Sequence, residues 1–167
     1  MRLFCILFLI LAPYSHAAQE QSLRFVTEDL PPYQIVTDGK LVSGTSFDLV
    51  KQAINEADLN AEIELFPWAR AFQMAKNMPN VVIFSMARTE KRESDFVWLH
   101  KLQPLIYRFY SSSKHNYDQQ LILDNLQEVV TATVRGSYEE ATVKQLGFDH
   151  KKNLIITNDY DSMWALL

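Results

Sequence analysis

Apolar residues recur along this chain with two alternating periods. Leu23 to Thr27 reads as a short strand, stopped at Glu28-Asp29-Leu30-Pro31-Pro32 because neither proline donates to a ladder. Tyr33 to Val42 carries Asp38-Gly39 between two β-rich arms, a hairpin signal. Phe47, Val50, Ile54 and Ala57 then recur at spacings of three and four, which predicts a helix with Ser46 as its cap. Ala61, Ile63 and Leu65 alternate with Glu62 and Glu64, the pattern of a half-buried strand. Pro67 opens a second helix over Trp68 to Asn77, Met78-Pro79 ends it, and Asn80 to Phe84 forms another buried strand.

The second half begins with two extended stretches, Phe96 to Leu102 and Leu105 to Ser113, separated by Pro104. An amphipathic helical turn is expected over Leu121 to Leu126 and a buried strand over Val129 to Val134. Gly136-Ser137 starts a helix that stops near Leu146-Gly147, where glycine is a usual terminator. Leu154 to Thr157 is a strand, and Asp159 or Asp161 opens a last helix through Met163, Trp164, Leu166 and Leu167. Strands alternating with helices imply an α/β fold with mainly parallel sheets, whose ligands lie at the carboxyl ends of strands. The loops after Thr27, around Phe66 to Trp68 and after Phe84 would gather there.

The N-terminus changes the picture of location. Arg2 precedes an apolar run from Leu3 to Pro13, and Ser15-His16-Ala17 offers small residues at the positions a signal peptidase reads. Residues 1–17 are therefore expected to be a cleavable leader, too short for a permanent membrane anchor. Cleavage removes Arg2 and no acid, taking the formal charge from −4 to −5. It also removes Cys5, the only cysteine, so the mature chain forms no internal disulfide. An acidic chain without clustered Lys and Arg argues against a nucleic-acid partner. About 150 residues remain, enough for an ordinary globular fold.

Candidate chemistry concentrates at Phe84-Ser85-Met86-Ala87-Arg88-Thr89-Glu90-Lys91-Arg92. A buried strand that ends in serine, followed by one turn carrying arginine, suits a carboxylate: hydroxyl and backbone N–H groups donate, and the guanidinium adds a bidentate fork. His100, His115 and His150 show no spacing for a metal site, so no metal and no cofactor is expected. Neither Gly136-Ser137 nor Gly44-Thr45-Ser46 has the pattern of a hydrolase elbow, and no acid–base pair accompanies them. An enzyme is not expected.

The order Leu23-Arg24-Phe25-Val26-Thr27, Gly44-Thr45-Ser46-Phe47-Asp48-Leu49, Thr89-Glu90-Lys91-Arg92 and Gly136-Ser137 resembles the periplasmic solute-binding proteins of family 3, receptors of polar amino-acid ABC importers. The resemblance implies a periplasmic-binding-protein type II clamp of two α/β lobes. Residues 18–104 would be the first lobe, 105–113 a crossing strand at the hinge, and 114–167 an incomplete second lobe. The chain thus resembles a truncated member. By the same resemblance Arg92 grips the ligand carboxylate, with Ser85 and the backbone N–H of Ala87 beside it. Trp68 lies where a residue packs on the ligand side chain, Glu28 where an acid meets the ammonium group, and Ser137 donates from lobe two.

Read alone, each of these residues has a plainer role. Arg92 fits a solvated surface turn, Glu28 turn chemistry, Ser85 a strand end and Ser137 an ordinary helix cap. Trp68 serves equally as core or platform, and Tyr33 reads as packing beside the hairpin. The resemblance implies a monomeric periplasmic protein that binds an amino acid or similar small carboxylate and docks on a membrane permease. Two other readings stay open: a ligand-sensing module for a membrane signalling partner, and a related periplasmic enzyme such as a dehydratase.

Overall fold

The structure, a computed structural model, describes residues 22–114, 120 and 124–167. The expected leader and the first half of the turn expected at 121–126 lie outside them. Three parallel strands form the first sheet: β1 (Leu23–Thr27) is central, flanked by β4 (Ala61–Leu65) and β5 (Val81–Ile83). Between β1 and β4 run the hairpin β2 (Ile35–Thr37) and β3 (Lys40–Ser43), then helix α1 (Thr45–Glu56). Helix α2 (Trp68–Asn77) joins β4 to β5, and the single turn α3 (Glu90–Glu93) follows. A second sheet pairs β6 (Thr131–Val134) with β7 (Leu154–Thr157) in parallel. Helix α4 (Tyr138–Gln145) connects them, and α5 (Tyr160–Trp164) comes last. The fold is α/β with parallel sheets, as the alternation of periods implied.

Alternate side chains of β1 feed different layers. Val26 packs with Ala71 and Met74 of α2, backed by Val81 and Ile83. Phe25 packs on the opposite side with Val50 and Ile54 of α1 and with Phe84, joined by Ile63. Both faces are covered at Phe25 and Val26, while Arg24 of the same strand pairs with Glu64 of β4 at the partly exposed end. Burying each such side chain contributes roughly 1.5–3 kcal/mol. In the second sheet, Val143 of α4 packs with Phe148 and Leu154 against Ile156.

The Asp38-Gly39 turn closes the hairpin with positive φ at both residues (51° and 72°), the type I′ geometry that matches strand twist. Ser46, expected to cap α1, instead lies inside it and is fully buried, its hydroxyl accepting from Gln103 Nε2 at 3.0 Å. The first turn is capped by backbone. Thr45 N–H donates to the Pro32 carbonyl, and Ser46 and Phe47 N–H donate to that of Tyr33, at 3.0–3.2 Å. These carbonyls satisfy helix donors that a side chain would otherwise serve. The approach is close enough that a Cβ on Gly44, at φ 130°, would overlap the Tyr33 carbonyl and lie 2.8 Å from Gln34 Cα.

Residues 96–112 carry no regular secondary structure, although extended stretches were expected there. Their rings pack on neighbours instead: Phe96 against Phe72, Tyr107 against Tyr138, and Tyr110 against Trp164. No helix among the described residues is long and apolar enough to cross a membrane.

Candidate ligand-binding site

The carboxyl ends of β1, β4 and β5 open on a cavity of about 150 Å³. It is lined by Glu28 after β1, Trp68 at the start of α2, Ser85 and Ala87 after β5, and Arg92 of α3. Ser137 closes it from the N-terminus of α4. All six residues singled out in the sequence therefore share one cavity. Its volume is that of a cavity able to hold a solute the size of benzene.

Trp68 is at once core and wall. Its side chain is only 4% exposed and packs on Phe72 with ring centres 6.0 Å apart. Its indole N–H donates to the Gly136 carbonyl at 2.9 Å, linking the end of the first sheet to the helix start of the second. Arg92 reaches the same carbonyl through Nη2 at 3.2 Å, and its Nη1 donates to the Ala87 carbonyl at 3.0 Å. Ala87 thus orients Arg92 through its C=O. The guanidinium lies 5.7 Å from the Trp68 ring centre and 5.2 Å from that of Phe72, within cation–π range. Burial pulls the Arg92 guanidinium below its ordinary value, while Tyr107 and Glu139 push it back up. It remains a cation, half-buried, with carbonyl partners and rings that fix its plane.

Ser85 sits at φ 60°, so the chain turns sharply as β5 ends. Its hydroxyl accepts from Gln34 Nε2. Gln34 is wholly buried, and this bond leaves the serine O–H proton to donate elsewhere. Ser137 is the helix cap of α4, accepting from Glu140 N–H at 3.0 Å. Its own N–H goes to the Val134 carbonyl at 3.2 Å, and its hydroxyl also shares a buried hydrogen bond with the Thr133 hydroxyl at 3.4 Å. Glu140 bends back to the Gly136 N–H at 2.5 Å, a variant of the capping box that steadies the loop.

Glu28 is 7% exposed, and its carboxyl is pushed up to about 8, first by burial and then by the charges of Glu139 and Asp29. Among the described residues a carboxyl so placed has no salt-bridge partner, and a ligand ammonium group would supply one. Asp29 is drawn away into the hairpin, where it accepts from Val36 N–H at 3.2 Å.

Several wall residues escaped the sequence reading. Tyr33 lines the cavity rather than only packing beside the hairpin, and Tyr107, Tyr138, Glu139 and Tyr160 complete the wall. Tyr160 donates to Glu139 Oε1 at 2.8 Å. Burial drives the Tyr107 and Tyr160 hydroxyls well above their ordinary values, so both stay protonated. The Glu at the second position of α4 had a local explanation as helix-dipole complement, and nothing local marked it as a cavity wall. Arg88, in contrast, faces away and pairs with Glu93. Among the described residues no group of three or more His, Cys, Asp or Glu side chains could hold a metal ion.

No protein-family model matches the chain, and no curated protein matches it by sequence. Solved structures do. An ancestral arginine-binding protein bound to arginine superposes with a TM-score of 0.63 at 19% identity, over 87% of this chain and 65% of the other. A histidine kinase sensor domain with similarity to periplasmic binding proteins gives 0.63 at 19%, over 89% and 64%. The arginine-, lysine-, histidine-binding protein ArtJ from Geobacillus stearothermophilus gives 0.64 at 15%, over 88% and 62%. The chain thus has the fold of periplasmic binding proteins and spans 62–65% of the length of these three.

Proposed function

We propose that this chain is a solute-binding protein of family 3 that holds an amino acid or similar small zwitterion. The observation that carries the reading is the convergence of Arg92, Ser85, Trp68, Glu28 and Ser137 on one cavity at the strand ends. Arg92 and Ser85 take the carboxylate, Glu28 takes the ammonium group, and Trp68 offers the apolar wall. Residues 18–104 act as the first lobe and 114–167 as part of the second, and 105–113 forms the hinge crossing. Ligand closes the two by bridging Arg92 and Ser137. Residues 1–17 direct export to the periplasm, where the monomer delivers its ligand to an ABC permease.

Arg92→Ala tests the assignment. A charge-assisted hydrogen bond contributes about 1.5–3 kcal/mol, and a bidentate pair more. Calorimetric titration with a panel of amino acids should therefore show at least roughly a 100-fold loss of affinity, with circular dichroism unchanged. Undiminished binding by Arg92→Ala rejects the carboxylate role.

A second reading is a sensor, supported by the similarity to a histidine kinase sensor domain. Neighbouring genes distinguish them: importer components accompany a transport receptor, and a kinase or cyclase accompanies a sensor.

A further inference from the structure

We propose that Gln34 is a positioning residue for the ligand: its side-chain amide holds the Ser85 hydroxyl so that the serine proton is left for the ligand carboxylate. The inference rests on the amino-acid reading above and adds a residue that sets affinity without touching the ligand. Gln34 is wholly buried and lies outside the cavity wall, but Leu30, Tyr33 and Ser85 around it all line that wall. Its backbone is fixed by a two-way exchange with Leu30, N–H to C=O at 3.0 Å in each direction. From that anchor Nε2 donates to Ser85 Oγ, a residue 51 positions further along the chain.

Three observations meet at this bond. Ser85 holds φ at 60°, a left-handed conformation that costs energy in a residue with a Cβ and persists where its surroundings over-determine it. A serine hydroxyl has one proton to give and two lone pairs to accept with. With Nε2 on one lone pair, the proton stays free for a carboxylate. Were the amide reversed, Oε1 would claim that proton, and the carboxylate would face lone pairs instead of a donor. The third observation is the amide's other end. Gln34 Oε1 is buried and accepts from no group among the described residues. A buried acceptor left unpaired destabilises the fold, and an apolar side chain of the same length would avoid that cost. Ser85 would lose little by the change, because it is only half-buried and open to the cavity. An amide that lowers stability while orienting a hydroxyl at the cavity is a functional group, in the trade of stability for activity common at binding sites.

The test is calorimetric titration of the whole chain with the common L-amino acids, alongside thermal melting. Gln34→Met keeps the length of the side chain and removes the amide. It should weaken the tightest-binding amino acid about 3–10-fold, part of the worth of one charge-assisted hydrogen bond. Its melting temperature should equal or exceed that of the parent. Ser85→Ala should lose about 10–100-fold, the whole of that bond. Adding Gln34→Met to Ser85→Ala should cost no further affinity, since the amide then has no hydroxyl to turn. Parent-like affinity in Gln34→Met overturns the positioning role and leaves the amino-acid reading standing. A loss that adds in full to that of Ser85→Ala does the same. Gln34→Leu repeats the arm with another apolar shape, and a melting temperature well below the parent's in both variants makes the amide structural and overturns the proposal. Parent-like affinity in Ser85→Ala removes the serine from the reading, and this inference with it, while Arg92 stands. Failure of every amino acid to bind the parent chain removes the amino-acid reading as well.

Discussion

Under the proposed function, Glu28 couples ligand binding to stability through one carboxyl group. Its carboxyl ionises near 4.5 when exposed and near 8 in the folded protein. The folded chain therefore holds a proton there that the unfolded chain has released between those two values. Sign and window follow from linkage: the contribution is fully present below 4.5 and is lost as pH rises through about 8. At pH 7 the deficit is about 3 kcal/mol. Glu28→Gln should flatten the pH dependence of the melting temperature between pH 4.5 and 8. The same substitution should weaken binding of an ammonium-bearing ligand. Melting curves at half-unit pH steps check the first, and a variant curve as steep as that of the parent would contradict it.

At the scale of elements, the start of α1 shows what local signals miss. A hydroxyl one residue into the helix looked like a cap, yet carbonyls of Pro32 and Tyr33 serve the first turn and Gly44 admits them. Gly44→Ala should destabilise by at least roughly 1–3 kcal/mol from its φ alone, with the backbone overlap added. Gly39→Ala, with open space around its Cβ position, should lose less. Chemical denaturation of both variants measures the difference. The strands and helices around these glycines were legible because their apolar faces are set by local period: Phe25 and Val26 point to different layers whatever lies beyond. The Asp38-Gly39 turn was legible for the same local reason. Residues 96–112 were not, since an apolar extended pattern describes a pleat and says nothing of a ladder partner. Within the cavity, motif residues on the strand ends could be named in advance, and Ser85, Ala87 and Arg92 owe this to their closeness in sequence. Glu139 and Tyr160 could not, because they meet across 21 residues and only the second sheet brings them together.

Over the whole molecule, one backbone acceptor takes hydrogen bonds that join the first sheet's helices to the second sheet. The Gly136 carbonyl receives the Trp68 indole and the Arg92 guanidinium, both from the first sheet side. In the function proposed above, a ligand carboxylate that recruits Arg92 competes with this carbonyl, so binding redistributes hydrogen bonds at the point proposed for closure. The transport and sensing readings both draw on this coupling, since each needs the cavity to alter the relation between the sheets.

The Trp68 bond also makes the molecule its own optical reporter. Indole emission responds to the polarity and hydrogen bonding around the ring, and Trp68 is buried against Arg92 at the cavity wall, whereas Trp164 is 47% exposed. With Trp98 and Trp164 replaced by phenylalanine, the remaining fluorescence should change in wavelength or intensity as ligand is titrated. Emission that stays constant while calorimetry registers binding would place the ligand away from Trp68. A label-free ligand screen therefore needs only a lamp and the variant that keeps Trp68 as its one indole.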